Sequence, residues 1–257
     1  MTDYFFDQAW SNEKRRLDAL ASLYDEGTFE RLSRARIGAG SNCLELGAGS
    51  GTVAHWMASR VGLTGKVVAT DIDTRFLQPE SPALEVRKHD IVNDPLEERA
   101  FDLIHARAVI QHTAHRDSVV AKLVRALKPG GWLVLEDIVV PQPICHPELA
   151  LWGKVLAAIG RGLERSGADS SFGIKLPHAL ATAGLADIGC DARIPLLRSG
   201  TDSIEFVALS LEHAADRLVA AGALSQNEVT EALAAFRTPG RTMTAAIMIA
   251  AWGQNRG

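Results

Sequence analysis

Short apolar runs alternate with amphipathic segments through the middle of the chain. Helical spacing of apolar and charged positions in residues 11–37 predicts a helix before the first run. Four short apolar or β-branched runs then predict strands, and a fifth, more apolar run follows. The five runs are NCLEL, KVVATDID, ALEVRKHDI, FDLIHARAVI and WLVLEDIVV. Because strands that alternate with helices form a mostly parallel, doubly wound sheet, the pattern predicts an α/β fold.

Helix signals separate these strands. The segment VAHWMASRVG after the first strand predicts a helix that ends at Gly62, a residue type that favours helix C-termini. After the fourth strand, DSVVAKLVRAL predicts a second helix, with Asp117 as its N-cap. The Lys-Pro-Gly-Gly sequence at residues 128–131 ends that helix before the fifth strand.

The rest of the chain predicts further helices and two more strands. A helix in residues 141–175 delays the sixth strand, so we expect an inserted cap segment there. Residues 176–257 contain predicted helices, the sixth strand and a closing strand in TMTAAIMIAAWGQ, and Ser225 with Glu228 predicts a capping box. We expect one domain, residues 1–257, with an N-terminal helical cap over residues 1–37 and a ligand-binding core over residues 40–140.

Composition narrows the functional classes. With 257 residues, 47% of them hydrophobic, the chain can bury a substantial core. The net charge of −4 gives no basic footprint, so we expect no nucleic-acid partner. The sequence has no run of ~18 apolar residues and no secretory signal pattern, so we expect no membrane partner and a cytoplasmic location. Cys43, Cys145 and Cys190 lack disulfide or zinc spacing and are expected to be buried thiols.

A glycine-rich stretch, LELGAGSGT, follows the first predicted strand. A dinucleotide fingerprint would place its third glycine at position 52, which is Thr52. A phosphate-binding P-loop would need a lysine that this stretch lacks. Both phosphate-binding interpretations are therefore weakened, and a ligand that approaches the backbone closely remains.

Acidic residues at the ends of three strands indicate what that ligand is. Glu45, just before the glycines, suits an ammonium or sulfonium cation. Asp71 ends the second strand, where it can accept both hydroxyl protons of a ribose. Asp90 ends the third and can accept from an adenine amine, with Ile72 and Ile91 as apolar plates beside the ring. Cation, ribose and adenine together describe S-adenosyl-L-methionine.

The chain resembles the class I S-adenosylmethionine-dependent methyltransferases of the small-molecule type over about residues 40–140. The matching motifs, one for each predicted strand in register, are LELGAGSGT, VVATDID, RKHDI, FDLIHARAVIQH and LKPGGWLVLED. The resemblance implies a Rossmann-like fold with a doubly wound, mostly parallel seven-stranded sheet, and S-adenosyl-L-methionine as cofactor.

The resemblance also assigns roles to residues. It places the methionine part of the cofactor on the loop formed by Gly47, Ala48, Gly49, Ser50 and Gly51. It places the ribose on Asp71 and the adenine on Asp90 with Ile91. Ala106 and Arg107 would face the methionine amino and carboxylate groups, although Arg107 is alternatively a solvated surface arginine.

The N-terminal segment is rich in aromatic residues: Tyr4, Phe5, Phe6, Trp10, Tyr24 and Phe29. We expect this segment to fold as helices over an acceptor pocket, where an apolar lid would exclude water. Ordinary packing of an amphipathic helix on the sheet is the alternative for each aromatic. Members of the family commonly shape the acceptor site with such a segment and with the insertion after the fifth strand.

Candidate bases are histidines near the carboxyl ends of the strands. His112, beyond the fourth strand, and His146, in the insertion, are the two candidates for accepting a proton from the acceptor. His105 is expected to pack within the sheet. Glu136 and Asp137 raise a metal-assisted alternative, but no matching set of oxygen ligands accompanies them.

The sequence therefore predicts methyl transfer to a small, apolar or aromatic acceptor on oxygen, nitrogen or carbon, in specialised metabolism. Two other classes stay open: a cyclase or rearrangement catalyst that uses the same fold and bound cofactor, and a nucleotide-dependent oxidoreductase. A homodimer is an assembly that the sequence leaves open.

Overall fold

A computed structural model describes residues 5, 6, 9–35, 37–140 and 142–257. Tyr4 of the aromatic set lies outside the described residues. The helices are α1 (Glu13–Arg34), α2 (Thr52–Val61), α3 (Arg116–Ala126), α4 (Ala150–Arg165), α5 (Leu176–Thr182), α6 (Glu205–Ala220) and α7 (Gln226–Arg237). The strands are β1 (Asn42–Leu46), β2 (Lys66–Asp71), β3 (Leu84–Lys88), β4 (Phe101–Arg107), β5 (Leu127–Val139), β6 (Cys145–His146), β7 (Ala186–Arg193), β8 (Leu196–Arg198), β9 (Thr242–Thr244) and β10 (Ile247–Gln254).

Seven of these strands form one sheet in the order β3-β2-β1-β4-β5-β10-β7. The five strands from β3 to β5 are parallel, and β10 runs antiparallel to both of its neighbours. This confirms the predicted seven-stranded, mostly parallel α/β sheet. The chain continues from β1 to β2 on one side, whereas β4 flanks β1 on the other. Ligands of doubly wound sheets bind beyond the carboxyl strand ends at such a switch point.

Helices cover both faces of the sheet. On one face, α1 and α2 pack through Leu32, Val53 and Met57 onto strand residues such as Val67 and Leu103. On the other face, α3 and α5 pack onto Leu44, Ile104 and Leu133, among others. Burial of apolar side chains from both layers accounts for the near-continuous apolar sequences of β1, β2, β4 and β5.

A third cluster of buried residues forms a cap around α4, α6, α7 and the small sheet β6-β9-β8. Phe5 and Phe6 are buried in it. A Cβ on Gly162 of α4 would lie 2.5 Å from the Phe5 ring, which shows how closely the N-terminal segment packs against the insertion. The rings of Phe29 and Trp56 stack at 4.9 Å, and Tyr24 donates from its hydroxyl to the carbonyl of Ala246. These aromatics are packing residues.

Several boundaries differ from the sequence-based expectations. The expected closing strand divides into β9, in the small sheet, and β10, because Ala245 donates its N–H to Pro195 and the chain changes sheets. Asp117 does not cap α3; the N-cap is His115, in a left-handed conformation with φ 55°. The predicted helix end at Gly62 and the capping box of Ser225 with Glu228 are confirmed. All three cysteines are free, but only Cys43 is buried and Cys190 is exposed.

Among the described residues, no helix is both long enough and apolar enough to cross a bilayer.

Candidate functional site

The glycine loop joins β1 to α2 along a path that needs glycine. Gly47, Gly49 and Gly51 all have positive φ, at 66°, 56° and 89°. A Cβ on Gly47 would lie 2.3 Å from Val109 Cγ2. The loop is also tied to the neighbouring strand, because Ala48 donates its N–H to Thr70. Ser50 lies within the tight turn that follows Ala48. The conformation of this loop therefore requires glycine at these positions, and the loop has no side chains at them to keep a ligand away from its backbone.

Asp71 lies directly beside this loop. Its Oδ2 accepts from Gly49 N–H at 2.9 Å, and its Oδ1 accepts from Asp73 N–H at 3.0 Å. Burial raises the pKa of Asp71, and the two backbone hydrogen bonds oppose that shift. A carboxylate has about four acceptor positions, so Asp71 keeps the capacity to accept from a diol.

The two isoleucines expected as adenine plates behave differently. Ile72, next to Asp71, is 46% exposed, whereas Ile91 is 5% exposed and packs in the core. The expectation for Ile91 is therefore wrong: its side chain completes the hydrophobic layer under the loop. Only Ile72 offers an apolar face beside Asp71.

Asp90 lies in the loop after β3 and not in the strand itself. Its carboxylate accepts from Val92 N–H at 2.9 Å and from Asn93 Nδ2 at 2.6 Å. Partial burial tends to raise the pKa of Asp90, but the hydrogen bonds from Asn93 and Val92 outweigh it and hold the pKa below its ordinary value. Lys122 of α3, which the sequence did not single out, donates to the carbonyls of Ile91 and Asp94 and so fixes this loop.

Glu45 is buried and paired across the sheet with His105 of β4. Its Oε2 accepts from His105 Nδ1 at 2.7 Å. The other imidazole nitrogen lies 3.7 Å from Oε1 of Glu136 on β5. His105 is thus inside the sheet packing, as expected, but between two carboxylates.

The pKa values in this cluster follow from burial and charge. Burial alone would lower the pKa of His105, but the carboxylates of Glu45 and Glu136 outweigh it and raise the pKa to about 9. Burial raises the pKa of Glu45, with His105 opposing the shift. For Glu136, burial is outweighed by His105 and Arg31, so its pKa is lowered.

Ala106 and Arg107 point to opposite faces of the sheet. Ala106 is buried in the layer under α3 and α5, so its side chain cannot face a ligand as expected. Arg107 points towards α1, where it donates to Asp25 Oδ1 at 2.7 Å and to Thr28 Oγ1 at 2.9 Å. It is not a solvated surface arginine, because its side chain is only 9% exposed.

Helix α1 lies over the glycine loop. Leu17 of α1 is 3.7 Å from the position of a Cβ on Gly49. Farther along α1, Thr28 donates to Glu136 at 2.9 Å, and Arg31 pairs with Asp191 at 2.6 Å. Side chains on the N-terminal helix therefore reach both the loop and the strands beneath it.

His112 lies in the 3₁₀ turn Ile110–His112 after β4. Burial, together with the charges of Arg16 and Arg116, lowers its pKa to about 4. His112 is therefore neutral at physiological pH. Its Nε2 lies 3.0 Å from Nε2 of Gln111, a geometry in which the amide donates to the imidazole.

His146 is on the small sheet, where it is exposed and pairs with Thr242. It is not in the loop that carries His112. The structure therefore does not bring the two candidate bases into one turn.

Asp137, at the carboxyl end of β5, is fully buried and holds the turn that contains His112. Its Oδ2 accepts from Gln111 N–H at 3.1 Å, and burial raises its pKa well above the ordinary value. Within residues 9–35, 37–140 and 142–257, no three histidine, cysteine or acidic side chains are arranged to hold a metal ion.

Residues 44–135 match the family described as "Methyltransferase domain". The chain is 28% identical over 179 residues to "Methyltransferase str2" of Strobilurus tenacellus, a match that covers 68% of this chain and 65% of that protein. It is 33% identical over 141 residues to the "Ubiquinone/menaquinone biosynthesis C-methyltransferase UbiE" of Laribacter hongkongensis, covering 49% of this chain and 58% of that protein. The chain thus spans less than two thirds of the length of either relative.

Among solved structures, the chain is similar to phosphoethanolamine N-methyltransferase 2 of Haemonchus contortus in complex with S-adenosyl-L-methionine. The TM-score is 0.62 at 17% identity, and the match covers 98% of this chain and 60% of that chain. At this identity the likeness concerns the fold.

Proposed function

Because the chain belongs to the class I S-adenosylmethionine-dependent methyltransferases, we propose that it transfers the cofactor's methyl group to a small acceptor that is apolar or aromatic. The observation that carries this proposal is the position of Asp71: its carboxylate bonds the amide of Gly49, and Ile72 beside it is exposed. One strand end thus offers a hydrogen-bond acceptor for a diol and an apolar face, both next to the glycine loop.

The residues present suit S-adenosyl-L-methionine. The loop of residues 47–51 would hold the methionine part through its backbone, since its glycines add no side chains of their own beside Val109 and Leu17. Asp71 would accept from the ribose hydroxyls, and Ile72 would cover one face of the adenine. Asp90, whose carboxylate is fixed by its own loop, would accept from the adenine amine. When bound, the cofactor supplies an electrophilic methyl group on a sulfonium.

Two charged side chains would meet the methionine end. Within the described part of the chain, the hydrogen bond from His105 occupies Oε2 of Glu45, so Oε1 is the atom that would meet a cation above β1. Arg107 lies on the same face of the sheet, and its guanidinium already holds Asp25 of α1. We assign Arg107 to fixing α1 over the methionine end.

The protein's contribution to the chemistry is mainly alignment. Methyl transfer from a sulfonium is an in-line displacement, so holding acceptor and methyl group in line supplies much of the acceleration. Leu17 above the loop and Val109 beside it exclude water from the methionine end. These contacts suit a reaction in which the sulfonium loses its positive charge in a dry site.

His112 is a weak base in this setting. With a pKa of about 4, it accepts a proton readily only from an acidic acceptor such as a phenol or an enol. The Laribacter hongkongensis relative is named for C-methylation in quinone biosynthesis, which supports a ring acceptor of this kind. The Strobilurus tenacellus relative supports small-molecule chemistry through its name alone. The proposal includes a role in specialised metabolism. It also keeps His112 and the exposed His146 as the candidate bases.

The test is incubation with methyl-labelled S-adenosyl-L-methionine and a panel of phenols, quinols and amines, followed by mass spectrometry. Label in a product, with release of S-adenosylhomocysteine, is the expected result. An acceptor that rearranges without taking up label would instead show a cyclase on this fold. Calorimetry in which NADH binds and S-adenosylhomocysteine does not would show an oxidoreductase.

A further inference from the structure

His105 occupies an unusual place in the sheet. It is 0% exposed, lies at the centre of β4, and has a carboxylate next to each ring nitrogen. The Nδ1 contact to Glu45 is a hydrogen bond of 2.7 Å, and the Nε2 contact to Glu136 is an ion pair of 3.7 Å. A neutral imidazole carries one N–H and would leave one of the two carboxylates facing a lone pair.

The charges around this ring favour a cation. Glu45 from β1 and Glu136 from β5 face the ring, and Arg31 from α1 and Arg107 from β4 lie beside the carboxylates. Asp25 and Asp191 neutralise the two arginines on their outer sides. The two buried carboxylates repel each other in an interior that screens charge weakly, and a protonated imidazole between them offsets that repulsion.

The same carboxylates connect two different parts of the molecule. In the first motif, only Leu46 separates Glu45 from Gly47, the first residue of the glycine loop. Glu136 accepts on its other oxygen from Thr28 of α1, and Arg31 lies 3.5 Å from that oxygen. His105 therefore stands between the acid at the cofactor loop and the helix that covers the loop.

We propose that His105 is a protonated positioning residue that couples cofactor binding to the docking of α1. Its imidazolium holds Glu45 charged towards the cofactor cation, and it holds Glu136 oriented towards Thr28. Cofactor binding at Glu45 then stabilises the contact between Glu136 and Thr28, and by linkage the effect is reciprocal. This inference rests on the proposed function for the identity of the ligand.

The protonation state is tested first in the unaltered protein. ¹⁵N NMR of selectively labelled histidine at pH 7.5 should show both His105 nitrogens protonated, while His112 is a neutral tautomer. A neutral tautomer at His105 would overturn the proposal without any substitution.

The coupling is tested with a double-mutant cycle on S-adenosylhomocysteine affinity, measured by calorimetry at pH 7.5. His105→Gln and the isosteric Thr28→Val should each weaken binding, by about 2- to 30-fold. If the two residues act through one path, the double variant should bind S-adenosylhomocysteine at least about threefold more tightly than the product of the two single fold-changes predicts. Independent, multiplying effects would contradict the coupling.

Two controls separate coupling from general loosening. Glu26→Gln removes another ion pair that joins α1 to the sheet, the one between Glu26 and Arg193. Its effect on S-adenosylhomocysteine affinity should be independent of His105→Gln, so the two fold-changes should multiply. His178→Gln, an exposed change on α5, should leave affinity unaltered.

Hydrogen exchange gives a readout without cofactor: His105→Gln should speed exchange in α1 more than in α3. A wild-type protein that binds no S-adenosylhomocysteine would refute the proposed function, whereas unchanged exchange in α1 would refute the coupling.

Discussion

The carboxylate of Asp71 accepts a 2.9 Å hydrogen bond from the backbone N–H of Gly49. The bond joins the end of β2 to the loop after β1, so one acidic side chain shapes the loop and faces the ligand that the loop would bind. Loss of this side chain should therefore change both the conformation of the loop and the affinity for the ligand.

We expect Asp71→Ala to weaken S-adenosylhomocysteine binding by ~1.5–3 kcal/mol, the usual scale for hydrogen bonds to a charged group. Calorimetry on a folded variant measures this directly. Asp73→Ala is the matched control, because Asp73 contacts Asp71 through its backbone N–H while its carboxylate pairs with Arg75. Unchanged affinity in Asp71→Ala would remove the ribose assignment.

The contact between Gly47 and Val109 predicts a partial rescue. Gly47→Ala should weaken cofactor binding and lower the melting temperature, because its Cβ would lie 2.3 Å from Val109 Cγ2 at a φ of 66°. Adding Val109→Ala should restore part of the loss, since it removes the clash but leaves the backbone strain of ~1–2 kcal/mol. Calorimetry and thermal melting of Gly47→Ala, Val109→Ala and the double variant check this. A double variant no better than Gly47→Ala would mean that strain alone is responsible.

The glycine loop and Asp71 could be predicted because their signals are local. Positive φ at three alternating positions needs glycine, and a carboxylate at the end of the next strand falls at the same sheet edge. Asp117 shows where a local rule misleads: the turn after His112 brings the chain into α3 through the left-handed His115, so the helix starts before the preferred capping residue. Ile91 and Ala106 show that a motif can mislead too, because it fixes a residue's place in the chain but not the direction of its side chain. Both side chains are buried in the core.

The His105 cluster could not be predicted. Glu45, His105 and Glu136 come from three strands that are far apart in sequence, and only strand register brings them together. The division of the closing strand had no signal either, because its apolar sequence continues through the point where Ala245 leaves for the small sheet.

His112 predicts a specific pH response. Its folded pKa of about 4 lies below the unfolded value of ~6.5, so below ~6.5 the unfolded state binds more protons. The neutral, buried imidazole therefore makes stability fall as the pH drops from ~6.5 towards 4. We expect His112→Gln to lose less stability than the wild type between pH 7 and 5, measured by urea unfolding. If His112 is also the base, turnover of the folded variant should fall ~10²-fold with cofactor affinity unchanged; full turnover would leave alignment as the source of catalysis.

His105 predicts the opposite response. Its folded pKa of about 9 lies above the unfolded value of ~6.5, so its stabilising contribution is complete below ~6.5 and is lost as the pH rises through 9. Urea unfolding of the wild type should show declining stability from pH 7 to 10. His105→Gln should flatten that decline, whereas the exposed control His178→Gln should retain it. A wild-type curve that stays level over this range would place the proton elsewhere.

Leu17 tests whether α1 acts as a cover. Deleting residues 1–30 is the simplest test of a lid, but it would also remove Tyr24 and Thr28, both buried, so the truncated protein is expected to unfold. Leu17→Ser is more selective, because Leu17 is half-buried and lies 3.7 Å from the Cβ position of Gly49. We expect it to retain the fold and to lower kcat by about tenfold, because water would enter the methionine end. A tenfold loss corresponds to an activation free energy that is higher by roughly 1.4 kcal/mol. Leu23→Ser, elsewhere on α1 and packed against the cap, is the matched control for general loosening of the helix and should lower the melting temperature without the same loss in kcat. Equal kcat in Leu17→Ser and wild type, with both proteins folded, would show that α1 packs over the loop without shielding the reaction.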